Sequence, residues 1–451
     1  MGFPKNFDFG VASSAYQVEG AWNANGKGAS IWDTYAAVPG NIADGTTGEV
    51  GCDHYHHYLE DIALMKKMGV DSYRFSVSWS RTYPQGIGVL NQEGLAFYDR
   101  VVDALLEAGI SPILNLHHYD LPQAMLDAGG WPERKVAEAS VIYAETIFRH
   151  FKGRVKRYVC MNDARSTLLG GYLMGNRAPG YAGRFKEAVQ GWHHINVACA
   201  AARKALAEID PEAQMGFVLG VVPFLPAEEN DASRQAAKQM NFLYNDCFLA
   251  PMLKGMYPEE VKPFLTRMQA LPNVLPGDLE LLRQFPQDFM GVNYYTVMRV
   301  KPNPSGNHSN PMSMVHIERR EPVTDSGWEI YPEGLYQVLT ELRDHYQNPP
   351  VFVSEVGGAF RDDHMDGETV IDDDRIDLLS RSFAQAERAL ADGCNLTGLH
   401  VWSLLDNFEW QCGFSKKFGL IRIDHQDQTR HPKKSAKWYR DFIAASRDRE
   451  K

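Results

Sequence analysis

Glu355 carries a carboxylate at the end of a strand-like run, where an enzyme could use it for catalysis. It follows the short β-branched and aromatic run Val351–Ser354 and stands just before Gly357 and Gly358. Such a run closed by glycine is typical of a buried parallel strand, and barrel enzymes carry their chemistry at the C-terminal ends of such strands. A carboxylate there could serve as a nucleophile or a base. Helix capping or ion pairing explains the same position equally well.

Glu355 is one of several polar or aromatic residues that follow strand-like runs. The set comprises Gln17, Glu19, Arg74, His117, His118, Asn162, Asp163, Asn293, Tyr295 and Trp402, with Asp406, Asn407, Glu409 and Trp410 in the turn after the last run. Carboxylates and amides bind hydroxyl groups as donors and acceptors, and an aromatic ring covers the apolar face of a sugar. A ring of such residues at one face therefore predicts a carbohydrate site.

Alternating strand and helix patterns would position these residues. The strand-like runs are Phe7–Ala12, Ser72–Trp79, Ser111–His117, Arg157–Met161, Gln214–Val221, Asp288–Asn293, Val351–Glu355 and Leu396–Trp402. Helical stripes lie between or after them, over Gln92–Ala108, 133–151, Phe185–Ile209, Asp231–Leu249, Pro332–His345, 375–392 and Lys434–Ala444. The alternation predicts a parallel sheet in an α/β fold, and about eight units predict a closed (β/α)8 TIM barrel. With no linker or repeat, we expect one catalytic domain over residues 1–451, with the irregular segment Val300–Ile330 inserted over the barrel mouth.

Composition narrows the class of protein. The net charge is -11 and 44% of the residues are hydrophobic, so a large core is expected and nucleic acid is not an expected partner. The six cysteines are scattered without a CxxC pair, which favours a reducing compartment. The N-terminus lacks a signal-peptide pattern, and no apolar stretch reaches membrane-spanning length. We expect a cytoplasmic protein without a membrane partner. The spacing of His54, His56 and His57 does not suit a metal, and no metal or cofactor is expected.

Several segments taken together resemble glycoside hydrolase family 1, the β-glucosidase-like enzymes. The resemblance runs nearly end to end and rests on Ser14–Ala21, Tyr73–Trp79, His117–Pro122, Gly291–Tyr295, Trp402–Trp410, Phe418–Leu420 and Pro432–Ala436. It implies a (β/α)8 barrel that acts on β-D-glycosides or oligosaccharides with retention of anomeric configuration. It also implies a possible homo-oligomer, because family members often self-associate.

The resemblance implies a role for each matched residue. Glu355 would be the nucleophile that forms a glycosyl-enzyme intermediate, and Arg74 and Tyr295 would keep its carboxylate ionised. The expected substrate-binding residues are Gln17, His118, Asn162, Asn293, Glu409 and Trp410 around the sugar, Trp402 as its stacking floor, and Trp328, Phe418 and Arg165. Trp328 would line the aglycone side. The pair Glu409-Trp410 matches members that act on unphosphorylated sugars.

The acid/base position departs from the family pattern. The family carries Asn-Glu-Pro at the end of the fourth strand, where this chain has Asn162-Asp163-Ala164 followed by Arg165. Tyr119 also stands where a tryptophan is usual, and Val356 where an asparagine is usual. Aspartate is one methylene shorter than glutamate, which would widen the roughly 5–5.5 Å separation of a retaining pair by about 1 Å. On a continuing strand, Arg165 would share a face with Asp163 and favour its charged form.

Three interpretations of this departure stay open. In the first, Asp163 acts as the acid/base after local repacking. In the second, the substrates carry activated or anionic leaving groups that need little protonation, and Arg165 faces the aglycone. In the third, the protein is a weakly active relative or a carbohydrate-binding pseudoenzyme on the same barrel.

Overall fold

A closed barrel of eight parallel strands forms the centre of the protein, as predicted. The computed structural model describes residues 2–306 and 310–448. The barrel strands are β1 (Asp8–Ala12), β2 (Ser72–Ser76), β3 (Ser111–Asn115), β4 (Arg157–Asn162), β5 (Gln214–Gly220), β6 (Phe289–Tyr294), β7 (Val351–Val356) and β8 (Leu396–Trp402). They follow one another in chain order around the barrel, and β1 closes it by pairing with both β2 and β8. All eight C-terminal strand ends therefore meet at one face.

Helices cover the outside of the barrel. The longer ones are α1 (His54–Met68), α2 (Gln92–Ala108), α3 (Arg134–Phe151), α4 (Phe185–Ile209), α5 (Asp231–Asn241), α6 (Cys247–Lys254), α7 (Asp278–Gln284), α8 (Glu333–His345), α9 (Asp373–Ala391) and α10 (Lys434–Asp448). Helix α2 follows the apolar spacing of its sequence, because Leu95, Tyr98, Val102 and Leu105 form one buried face. Gly109 ends the helix with a left-handed φ of 78°. None of the described helices is long and apolar enough to cross a lipid bilayer.

Shorter elements connect the barrel units. The α-helical ones are Ala15–Val18, Ile31–Ala36, Trp79–Thr82, Gln123–Asp127 and Val261–Arg267; Ser166–Leu173 and Phe242–Asp246 are π-helical; Pro311–Met314 and Trp410–Cys412 are 3₁₀-helical. Two small hairpins pair Met365–Asp366 with Thr369–Val370 and Ile421–Ile423 with Arg430–Pro432. A three-stranded sheet joins Phe224–Pro226, Met298–Pro302 and Val315–Glu318.

Side chains fill the barrel interior from the N-terminal ends of the strands to the middle. An apolar cluster in the middle consists of Ile113, Val159, Val218, Phe289 and Phe352. Toward the N-terminal ends of the strands, Asp8 accepts hydrogen bonds from Ser72 at 2.5 Å and Arg157 at 2.6 Å. The ring of His400 lies against Gly10, where a Cβ would stand 2.4 Å from Nε2. This packing leaves the C-terminal face as the end of the barrel where the predicted site residues gather.

Three predicted elements differ from the structure. The run Ser72–Trp79 was expected to be one strand, but β2 ends at Ser76 and Trp79 begins a short helix. The helix expected over Asp231–Leu249 is interrupted by the π-helical turn Phe242–Asp246. The segment Val300–Ile330 was expected to be irregular, yet it contributes to the three-stranded sheet beyond the ends of β5 and β6. Residues 307–309 of that prediction lie outside the described residues.

Candidate active site

Glu355 lies near the C-terminal end of β7 between two hydrogen-bond donors. The guanidinium of Arg74, from β2, donates to Oε1, and the hydroxyl of Tyr295 donates to Oε2 at 2.5 Å. Burial raises the pKa of Glu355, whereas the charge of Arg74 and the hydrogen bond from Tyr295 lower it, and the balance lies above the ordinary value. The two neighbours are therefore placed where the motifs predicted, and they oppose the cost of burying the carboxylate.

Two asparagines extend this arrangement to β4 and β6. Oδ1 of Asn162 accepts from Arg74 at 2.9 Å and from Nδ2 of Asn293 at 3.2 Å, and Oδ1 of Asn293 accepts from Ser354 at 2.7 Å. These contacts orient both amides, so Nδ2 of Asn162 faces Nε2 of His118 at 3.1 Å. Burial holds the pKa of His118 well below its ordinary value, which makes the ring a neutral hydrogen-bonding group. Four strands thus fix the surroundings of one carboxylate.

Gln17 and Glu409 form a second polar group on the β8 side. Nε2 of Gln17 donates to Oδ1 of Asn407 at 2.9 Å, to the carbonyl of Phe408 at 2.8 Å and to Oε2 of Glu409 at 3.4 Å. Burial raises the pKa of Glu409 to about 7, against hydrogen bonds from Trp402 and Gln17 that lower it. A partly buried carboxyl group and an oriented amide therefore lie side by side at this edge of the barrel.

Aromatic rings line the remaining sides. The ring of His118 stacks with Trp402 and with Trp410, each at a centroid distance of 5.9 Å. Trp402 and Phe418 pack in one cluster against which Tyr295 and Trp328 are partly buried. The ring of Trp328 is 5.2 Å from that of Tyr295. Trp328 thus stands beside the residue that contacts Glu355.

Asp163 occupies a turn rather than a continuing strand. Strand β4 ends at Asn162, Asp163 has a left-handed φ of 39°, and the chain then enters the π-helix Ser166–Leu173. The expectation that Asp163 and Arg165 share the face of a strand is therefore wrong. They are neighbours through the turn instead, with Nη2 of Arg165 at 3.3 Å from Oδ1 of Asp163.

The guanidinium of Arg165 is engaged by the protein itself. It donates to the carbonyl oxygens of Gly220 at 2.5 Å and Tyr244 at 2.8 Å, and its central carbon lies 3.6 Å from the centre of the Tyr244 ring. Only 3% of Arg165 is exposed. Both terminal nitrogens of Arg165 therefore bind backbone carbonyls, and a contact between Arg165 and the aglycone stays a prediction.

Two residues near the site received no predicted role from the sequence, although Tyr119 was noted there as a departure from the usual tryptophan. The guanidinium of Arg177, in the loop before α4, lies 5.6 Å from the centre of the Tyr119 ring, and its charge lowers the pKa of Glu409. The hydroxyl of Tyr119 accepts from Asn162 at 3.3 Å. Arg177 follows no strand, so no pattern in the sequence marked it. Tyr119 sits in a matched motif and could have been recognised there.

Comparison with known proteins identifies the family. The model of glycosyl hydrolase family 1 matches residues 1–448. Beta-glucosidase A of Acetivibrio thermocellus is 40% identical over 441 residues, which cover 98% of each chain. An aryl-phospho-beta-D-glucosidase of Bacillus subtilis is 36% identical over 466 residues, covering 98% of this chain and 97% of that one.

Solved structures agree with these relatives. The beta-glucosidase of Thermotoga maritima in complex with glucoimidazole superimposes with a TM-score of 0.92 at 39% identity and covers 99% of both chains. The predicted barrel is confirmed by the closed strand order and by this likeness. The match over the whole length, by sequence and by structure, means that the chain belongs to glycosyl hydrolase family 1.

Proposed function

We propose that this glycoside hydrolase hydrolyses or transfers β-D-glycosyl groups through a covalent intermediate on Glu355. The observation that carries the proposal is the position of Glu355 at the C-terminal end of β7, between the donors of Arg74 and Tyr295. A carboxylate held in one orientation is suited to attack an anomeric carbon from one side. Water then attacks the intermediate from the other side, and two inversions give net retention.

The surrounding residues would bind the sugar in the subsite next to Glu355. Donors and acceptors on Gln17, His118, Asn162 and Glu409 suit the alternating demands of sugar hydroxyls. Trp402 would provide the stacking floor, together with Trp410, Trp328 and Phe418 as aromatic walls. Asn293 would act as a positioning residue, because its amide bonds to Asn162 and Ser354.

The favoured sugar is an unphosphorylated β-glucoside. The full-length relative at 40% identity is named a beta-glucosidase, which supports an enzyme over a carbohydrate-binding pseudoenzyme. One relative is named a phospho-glucosidase, but here the carboxylate of Glu409 would face the bound sugar and repel a phosphate when ionised.

The expected compartment is reducing. All six cysteines are unpaired, and five of them are buried. Free thiols of this kind suit the cytoplasm, which we propose as the location. A single catalytic domain also fits the family match over residues 1–448.

Trapping with 2,4-dinitrophenyl 2-deoxy-2-fluoro-β-glucoside tests the nucleophile. The fluorine slows both steps, and the good leaving group lets the intermediate accumulate. Intact-mass spectrometry should show one fluoroglucosyl group, and peptide mapping should locate it on Glu355. The variant Glu355→Gln should stay unmodified, and Glu107→Gln, an exposed residue of α2, should react like the wild type. An adduct on another residue, or none, would overturn the proposal.

A further inference from the structure

Both carboxylate oxygens of Asp163 face side chains of the turn that follows it. Oδ2 accepts a hydrogen bond from the hydroxyl of Ser166 at 2.6 Å, and Oδ1 lies 3.3 Å from Nη2 of Arg165. A general acid must carry a proton on one oxygen and direct it at the leaving group. A proton on Oδ1 would meet the guanidinium, and one on Oδ2 would compete with the hydroxyl hydrogen of Ser166. The local contacts thus oppose use of Asp163 as an acid.

Arg165 is fixed in this position by other parts of the fold. Its bonds to the carbonyls of Gly220 and Tyr244, and the stacking on the Tyr244 ring, tie it to β5 and to the turn before α6. The close approach depends on Gly220, because a Cβ there would stand 3.1 Å from Nη2 of Arg165 and 3.4 Å from Oδ2 of Asp163. Contacts within the protein therefore hold the positive charge beside Asp163.

The reach of the side chain adds to this constraint. The side chain of Asp163 is one methylene shorter than that of a glutamate, and its backbone has a left-handed φ of 39° just after β4 ends. Small misplacements of a catalytic group cost on the order of 100-fold in rate. The hydrogen bond from Ser166 fixes Oδ2 of this short carboxylate, and Oδ1 lies beside the guanidinium of Arg165 without accepting a hydrogen bond.

We propose that Arg165 and Ser166 hold Asp163 as a fixed carboxylate that does not protonate leaving groups, so that the substrates are β-glycosides whose aglycones depart as stable anions, such as acidic phenols. This inference rests on the proposed nucleophile Glu355. In the first step Glu355 forms a bond to the anomeric carbon, and the glycosidic bond breaks with its electron pair on the aglycone oxygen. In the second step water attacks the anomeric carbon, its proton passes to a solvent water molecule, and the bond to Glu355 breaks.

A leaving-group series on the wild-type enzyme tests the proposal. The probes are β-glucosides of 2,4-dinitrophenol, 4-nitrophenol and phenol, with cellobiose as an alkyl glycoside. General acid catalysis is worth about 100- to 10,000-fold, so kcat/KM should fall by at least about 100-fold from dinitrophenyl to phenyl glucoside and further for cellobiose. A fall of less than about 10-fold across the series would overturn the proposal.

Two variants test whether Arg165 and Ser166 position Asp163 or only support the fold. Arg165→Met removes the charge beside Oδ1 of Asp163, and Ser166→Ala removes the hydrogen bond to Oδ2. Either change should raise kcat/KM for phenyl glucoside relative to the dinitrophenyl substrate. Equal losses on both substrates would contradict the proposal. Ser166→Ala carries the test if Arg165→Met does not fold. If the fluoro sugar labels Glu355 and cellobiose is also a good substrate, only this inference fails, whereas absence of labelling removes the proposed function itself.

Discussion

Replacement of Glu409 by glutamine is expected to stabilise the protein at alkaline pH. Burial raises the pKa of Glu409 from its ordinary value of 4.5 to about 7. Glutamine has nearly the same shape and keeps one oxygen for the hydrogen bonds from Trp402 and Gln17, but it has no charge to bury. The change therefore removes the cost of ionisation and leaves the packing in place.

The sign and size of the stabilisation by Glu409→Gln follow from proton linkage. Between pH 4.5 and about 7 the folded protein holds more protons at Glu409 than the unfolded chain does, so stability falls as pH rises through this window. The difference between the two pKa values is worth about 3 kcal/mol, since each unit corresponds to about 1.4 kcal/mol. For 451 residues, an unfolding entropy of about 2.1 cal/mol/K per residue converts this to about 3 °C in Tm.

Thermal unfolding at two pH values provides the assay. Calorimetric midpoints of the wild type and Glu409→Gln are compared at pH 5 and pH 8. The advantage of the variant should grow by about 2 °C between them, because part of the cost is already present at pH 5. Glu107→Gln is the control and should keep a constant difference from the wild type. A constant difference for Glu409→Gln as well would refute the reasoning, since it would mean that ionisation of Glu409 carries no cost.

Three further changes test other contacts. Tyr295→Phe removes a donor that lowers the pKa of Glu355, so the acidic limb of kcat/KM should move to higher pH, and an unmoved limb would contradict this account. Arg177→Ala removes a charge that lowers the pKa of Glu409, so the change in KM with pH should move to higher pH, whereas an identical profile would exclude the interaction. Asp61→Ala leaves Arg430 and His54 without the carboxylate that each contacts, at 2.9 Å and 2.7 Å, and should destabilise the protein by about 3–5 kcal/mol in urea unfolding. A loss below about 1 kcal/mol would show that water replaces the carboxylate.

Local sequence patterns predicted most of the strands and helices of the barrel. Strand-like runs and helical stripes alternate along the chain, and each run predicted a strand that the structure contains. The errors arose where tertiary contacts end an element. The run Ser72–Trp79 alternates aromatic or β-branched residues with polar ones to its end. In the structure the backbone N–H of Ser78 donates to the hydroxyl of Tyr98 at 2.7 Å, and the chain turns into a helix.

The interruption of the helix after α5 has a similar cause. Residues 242–246 continue the helical pattern in sequence. In the structure, the side chain of Asn245 donates to the carbonyl of Val222 at 2.8 Å, and that of Asn241 donates to the carbonyl of Phe224 at 2.9 Å. These partners lie about 20 residues earlier in the chain, so the local sequence carries no signal for them.

The sequence by itself determined which residues gather at the barrel mouth, because the ends of parallel strands meet at one face whatever the details of packing. Glu355, Arg74 and Tyr295 were predicted together for this reason and from their motifs. Only the tertiary structure decided the contacts of Arg165, whose guanidinium binds carbonyls on β5 and the turn before α6. Such contacts depend on angles and distances between distant segments. The sequence therefore predicted the carboxylate that we propose as the nucleophile, and the fold decided how Asp163 is held.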